Sequence, residues 1–160
     1  MQLEIFTTGG TIDKVYFDAK SAFEVGEPQI VEVLQEANLG IEYRVVPLLR
    51  KDSLDLTDAD RTLIRRAVVA SVAPRVVITH GTDTMIDTAR ALEGIPGRTI
   101  VLTGAMQPAR FRFTDAVFNV AGAMMAAQLL PEGIYIAMNG RIFDPRRARK
   151  NVALNRFEAI

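Results

Sequence analysis

Two runs, Arg75-Val76-Val77-Ile78-Thr79 and Thr99-Ile100-Val101-Leu102-Thr103, are apolar almost without interruption. A strand with one face in water alternates polar and apolar side chains. Unbroken runs bounded by turn residues instead predict strands covered on both faces. Three further runs have β-rich character: Leu3-Glu4-Ile5-Phe6, Ile41-Glu42-Tyr43-Arg44-Val45-Val46 and Ile134-Tyr135-Ile136-Ala137-Met138. Helical patterns lie between them, over residues 28–37, 57–72, 84–92 and 115–130. The first stops near Asn38 and Gly40, and the second opens on Thr57 with Asp60 three residues on, an approximate capping box. Strands alternating with helices imply parallel strands joined by right-handed crossovers.

The expected fold is therefore α/β: a doubly wound, mainly parallel sheet with helices on both faces, a flavodoxin-like three-layer sandwich. A chain of 160 residues is long enough for one real core, so residues 1–160 are read as a single domain. Such sheets bind ligands outside the carboxyl ends of their strands. Three polar or glycine-rich loops fall at those ends: Thr8-Gly9-Gly10-Thr11, His80-Gly81-Thr82-Asp83 and Gly104-Ala105-Met106. Residues 13–26 lack periodicity and read as a mobile flap or hairpin following the first loop.

Gly9 and Gly10 permit backbone conformations closed to other residues and let a ligand approach closely. Alone, Gly-Gly-Thr fits a plain turn equally well, and it lacks both the GxGxxG spacing of a dinucleotide site and the Gly-Lys-Ser/Thr of a P-loop. The stretch ITHGTDTM is more telling. One of Thr82, Asp83 and Thr84 is expected to cap the following helix. A cap does not require His-Gly-Thr-Asp-Thr together, and four polar residues closing a buried strand point to ligand contact.

Composition removes several function classes. Lys plus Arg equals Asp plus Glu, 19 of each, so no global charge steers the chain to nucleic acid or an anionic membrane. There is no cysteine, which excludes disulfides and thiol chemistry. The amino terminus does not resemble a signal peptide, and the most apolar stretch, residues 119–130, is shorter than the roughly 20 residues of a membrane span. A cytoplasmic protein without membrane contact is expected. His80 is the single histidine; it is read as an orienting or structural residue, with no metal cluster around it. The basic run Arg146-Arg147-Ala148-Arg149-Lys150 is read as a solvated loop holding Lys150 rather than a nucleic-acid surface. Arg110 and Arg112, alternating with Phe111 and Phe113, are read as lining a loop or subunit contact.

TGGTI near the amino terminus and HGTDTM in the middle resemble the two signature motifs of the bacterial L-asparaginases. GAM followed by Pro108, the stretch from Asp115 to Asn119, and MNGRIFDPRRARK ending at Lys150 are similar to that family as well. The resemblance runs through essentially the whole chain, in order. It implies an amidohydrolase that converts L-asparagine to L-aspartate and ammonia without a cofactor or a metal. Thr11 matches the family's first threonine, the nucleophile, and Tyr16 resembles the lid tyrosine that contacts it. Thr82, Asp83 and Lys150 match a second threonine, an aspartate and a lysine that form a hydrogen-bonded triad. Ser53 resembles the serine that binds the substrate α-carboxylate, with Leu54 departing from the polar residue many members have next to it. Gly10 and Gly81, with Thr82 and Asp83, complete the implied substrate site, Asp83 pairing with the α-ammonium.

The chemistry is coherent on its own terms. Amide hydrolysis needs a nucleophile, a proton acceptor and donors for the oxyanion. A threonine hydroxyl attacks only when a neighbouring group takes its proton. A lysine serves as that acceptor only as the free amine, a form that desolvation favours and an adjacent carboxylate opposes. Backbone amides near Gly10-Thr11 or Gly81-Thr82 are the oxyanion candidates. Most members of the family carry a second, smaller carboxyl-terminal domain; the chain resembles a short member lacking it, or a fragment. Self-association is expected through the small and sulphur-rich face of Gly122, Ala123, Met124 and Met125. A catalytically weak asparagine- or aspartate-binding module on the same fold, a nucleotide-binding flavodoxin-like domain, and an ammonia-generating amidotransferase subunit are the alternatives.

Overall fold

A computed structural model describes residues 2–160. In chain order the strands are β1 (Gln2–Gly9), β2 (Lys14–Phe17), β3 (Ala22–Val25), β4 (Glu42–Lys51), β5 (Arg75–Thr79), β6 (Thr99–Thr103), β7 (Gly133–Met138), β8 (Arg141–Phe143), β9 (Ala148–Asn151) and β10 (Arg156–Ala159). The helices are α1 (Ile30–Glu36), α2 (Asp58–Ala70), α3 (Met85–Ala91) and α4 (Ala116–Leu129). The main sheet has the order β4-β1-β5-β6-β7-β8. Its first five strands are parallel, and β8 returns antiparallel on β7. The chain leaves β1 outward to β4 and then crosses back to β5. The reversal falls between β1 and β5, where doubly wound sheets bind ligands. Thr7 pairs with Thr79, so the loops after these two strands emerge side by side at one edge.

Successive strand residues point to opposite faces, and this alternation builds the two cores. Val76, Ile78, Ile100 and Leu102 pack with Ile64 and Val68 of α2 and with Met85 and Ala89 of α3. Val77 and Val101 face the other way, onto Ile30 and Leu34 of α1 and Val120, Ala123 and Met124 of α4. The expected three-layer α/β sandwich is the observed one. The capping box of α2 also forms: the Asp60 amide donates to the Thr57 hydroxyl at 3.2 Å and the Thr57 amide to the Asp60 carboxylate at 2.9 Å. Among the described residues no helix is long and apolar enough to cross a membrane.

Four expectations need correction. The run beginning at Ile41 continues as a strand through Lys51, because among the described residues β4 pairs only with β1 and an edge strand tolerates Pro47. The basic run is not a solvated loop around Lys150: Lys150 lies on β9, paired with β10. The polar residues closing β5 do not cap α3 through a side chain. Thr84 occupies the cap position, but its hydroxyl donates to the Ser53 carbonyl at 2.7 Å. Gly122, Ala123, Met124 and Met125 do not share a face. Ala123 and Met124 lie in the core, and the outer side of α4 carries Gly122 and Met125 with Val117, Phe118 and Leu129.

Candidate active site

The strand β1 ends in two glycines with positive φ, +98° at Gly9 and +89° at Gly10. A Cβ on Gly10 would strike the backbone of Gly81, so the loops after β1 and β5 touch main chain to main chain. Gly81 in turn lies against Ser53: a Cβ there would sit 2.6 Å from both the Ser53 Cβ and Oγ. Three separate segments thus converge on one spot. Thr11 opens a single 3₁₀ turn, Thr11–Asp13, directly beyond Gly10. It is half-buried, and its hydroxyl has no hydrogen-bond partner among the described residues. The Gly10 amide donates to the Lys51 carbonyl at 2.9 Å and is therefore committed to structure. The amides of Thr11, Gly81 and Thr82 have no such partner among the described residues.

Thr82 is buried, and the Lys150 ammonium donates to its Oγ1 at 2.8 Å and to Asp83 Oδ1 at 2.5 Å. The Lys150 side chain is 16% exposed and that of Asp83 42%. An ion pair this open contributes about 0–1 kcal/mol to stability. Stability alone therefore does not explain a lysine recruited across the fold from β9.

Lys150 is held by residues to which the sequence assigned no role of their own. Its cross-strand partner Phe157 is buried beside Phe143, with ring centroids 6.2 Å apart. The Phe157 amide donates to Asn139 Oδ1 at 2.8 Å, and the Asn139 amide to Asn119 Oδ1 at 3.2 Å. The Asn119 side-chain amide donates to Asp115 at 2.9 Å and to the Gly104 carbonyl at 3.0 Å. The available signal was the pair Asn139-Gly140, whose positive φ angles of 53° and 72° suit the hairpin turn between β7 and β8.

Ser53 is buried and its hydroxyl is unpartnered, a costly state for a polar atom unless a ligand completes it. Its neighbour Leu54 is exposed. Asp52 accepts from the Leu54 amide at 3.2 Å and pairs with Lys14 at 3.1 Å. Burial raises the Asp52 carboxyl pKa, but the Leu54 amide, Lys14 and the charge on Lys150 outweigh it and hold it below its ordinary value. Tyr16 stands apart from the cluster. It lies on β2 of the β2–β3 hairpin, exposed, with its ring edge-on to Phe23 at 5.4 Å, and no hydrogen bond joins it to Thr11.

His80 is fully buried. Its Nδ1 lies 2.7 Å from the Gly81 carbonyl, which can only accept, so Nδ1 carries the proton; Nε2 then accepts from the Thr88 hydroxyl at 2.8 Å. Burial pulls its pKa down to about 4, against the Gly81 carbonyl. It is a neutral strut beneath the second loop. At the foot of the hairpin Asp13 accepts from the Gln29 amide at 2.9 Å, and its other oxygen is buried and unpartnered. Burial pushes its carboxyl up to about 7, opposed by the Gln29 amide and the Arg50 charge. No cluster of metal-ligating side chains is present among the described residues.

Fold and site together define an α/β domain in which a threonine, a lysine and a carboxylate meet beside a second threonine, at the switch point of a parallel sheet. The family follows from direct comparison. The family model described as "Asparaginase, N-terminal" matches residues 2–160, and the chain belongs to that family. An L-asparaginase from Thermococcus kodakarensis is 34% identical over the whole of this chain and 51% of its own length. The solved structure of the thermostable L-asparaginase from that organism superposes with a TM-score of 0.87 at 31% identity, again over 100% of this chain and 51% of that one. L-asparaginase I from Vibrio cholerae gives 0.86 at 26% identity over 99% of this chain and 51% of its own. A probable periplasmic L-asparaginase from Haemophilus influenzae is 29% identical over 92% of this chain and 46% of its length. The chain therefore spans about half the length of these relatives, and the likeness is not confined to bacteria.

Proposed function

We propose that residues 1–160 act as one catalytic domain that hydrolyses L-asparagine to L-aspartate and ammonia, with Thr11 as nucleophile. The observation that carries this reading is the Lys150 ammonium bonded to both Thr82 and Asp83, in a loop that touches the one bearing Thr11. Relatives named L-asparaginase support the substrate.

In this mechanism the substrate α-carboxylate meets the unpartnered Ser53 hydroxyl, and its α-ammonium meets Asp83. An α-ammonium at Asp83 competes with Lys150 for the same carboxylate, which loosens Lys150 toward Thr82. The Thr11 oxygen attacks the side-chain amide carbon, and its proton passes to the departing nitrogen with Tyr16 assisting from the hairpin. In this reading the free amides of Thr11, Gly81 and Thr82 receive the oxyanion, and one such donor lowers the barrier by about 2.7–4 kcal/mol. Breaking the C–N bond releases ammonia and leaves an ester on Thr11. A water held at Thr82, whose hydroxyl the Lys150 ammonium orients, adds to the ester carbon, and its proton passes by way of Thr82 to the Thr11 oxygen as the C–O bond breaks and aspartate is freed. Positioned proton transfer of this kind is typically worth about 10²–10⁴-fold.

The reading extends to a cytoplasmic, self-associating enzyme that requires neither cofactor nor metal. The absence of cysteine and the uncharged helix α4 support it. Ammonia release should be assayed with asparagine and with glutamine, alongside thermal stabilisation by aspartate. Sustained release from asparagine is expected. Stabilisation by aspartate with no release from either amide would instead assign a binding module.

A further inference from the structure

The β2–β3 hairpin has two four-residue strands and, among the described residues, is paired with no other sheet. A lone hairpin of this size is marginal in water, so its position depends on what it touches outside itself. Its base is fixed by Asp13, whose carbonyl accepts from the Gly26 amide at 2.8 Å and whose carboxylate accepts from the Gln29 amide. Lys14 ties one side to Asp52, next to Ser53. Beyond these ties, the ring of Tyr16 packs on its directly paired neighbour Phe23, and Phe23 packs edge-on against Phe111 at 5.7 Å and 64°.

Phe111 belongs to the loop between β6 and α4, which hydrogen bonds tie at several points. Asp115 accepts from the amides of Met106 and Gln107 at 2.9 and 3.0 Å, and the Ala109 amide donates to the Ile12 carbonyl at 3.0 Å. A loop tied in this way offers one aromatic ring to a hairpin that lacks a core of its own. Nearby Phe113, 82% exposed, lies under the Arg112 guanidinium and, among the described residues, pairs with no aromatic ring, whereas Phe111 is 40% exposed. We infer that Phe111 is a positioning residue: its contact with Phe23 docks the hairpin and so sets where Tyr16 stands. This rests on the hydrolase reading for its catalytic consequence, but the docking itself does not.

An edge-to-face pair biases a docking equilibrium by roughly two- to tenfold. Substrate that needs the docked hairpin then binds more weakly in proportion to the undocked fraction, while saturation restores closure. The experiment compares wild type, Phe111→Ala, Phe111→Tyr and Phe113→Ala by hydrogen exchange of the β2 and β3 amides and by asparagine kinetics. Phe111→Ala should speed hairpin exchange by roughly two- to tenfold and raise KM by up to about tenfold, with kcat changed by less than about twofold. Phe111→Tyr should restore both, and Phe113→Ala should alter neither. Unchanged hairpin exchange in Phe111→Ala overturns the docking role, and faster exchange with KM unmoved overturns the positioning role. If wild type releases no ammonia yet exchange still responds to Phe111→Ala and recovers in Phe111→Tyr, the hydrolase reading falls and the docking contact stands.

Discussion

Two buried ionisable residues beside the loops after β1 and β5, Asp13 and His80, pull the pH dependence of stability in opposite directions. Folding raises the Asp13 pKa from its ordinary 3.8 to about 7, so the native state keeps a proton that the unfolded chain releases. That contribution is complete below pH 3.8 and is lost as pH rises to about 7, on the order of 4 kcal/mol. His80 behaves conversely: its pKa falls from 6.5 to about 4, so its contribution is present above pH 6.5 and is lost as pH falls toward 4. Between those values the two slopes oppose each other. Asp13→Asn keeps an acceptor for the Gln29 amide and never ionises. Urea unfolding should find this variant near wild type at pH 4 and more stable at pH 8; an equal gap at both pH values would contradict the account. The sequence made His80 legible as a strut because it stands alone, without a partner base or ligand. Asp13 gave no such signal, because its burial arises from how the hairpin folds back onto the start of α1.

At the scale of elements, Lys150 depends on a hairpin with little intrinsic stability of its own. Among the described residues the strands β9 and β10 pair only with each other, and Phe157 and the Asn139 side chain anchor them. Asn139→Ala leaves the Phe157 amide without its acceptor, a loss of about 1–3 kcal/mol where the group stays dry. We expect a lower melting temperature and a kcat reduced by about tenfold, with KM less affected, because Lys150 loses its fixed approach to Thr82. Kinetics with kcat unchanged would show that the hairpin positions Lys150 without Asn139. The parallel strands and all four helices were legible in advance because hydrophobic period, Thr57 and Asp60 mark them directly. The strands β8, β9 and β10 were not. Arg146 to Lys150 has no apolar alternation, and its strand forms because Phe157 and Ala148 reach the distant core beside Phe143.

Over the whole molecule, the outer side of α4 exposes Val117, Phe118, Met125 and Leu129, with Ile142 nearby, and the helix carries no charged residue. Apolar patches of this kind mark association surfaces. Light scattering at micromolar concentration should find an oligomer, and Phe118→Asp should shift it toward monomer; a wild-type monomer would contradict self-association. The sandwich and the convergence of the loops at its edge followed from the alternation of strands and helices alone. The contacts of Lys150 with Thr82 and Asp83 were implied by the family resemblance and not by residue pattern, since 67 residues separate Lys150 from Asp83. The central claim is that Thr11 is the attacking group beside this cluster. Turnover of asparagine by wild type and Thr11→Ala, with aspartate binding measured in both, tests it most directly. Ammonia release should fall by at least about 10³-fold in a variant that still folds and binds aspartate. Release near the wild-type rate from Thr11→Ala would contradict it and move the attack to Thr82.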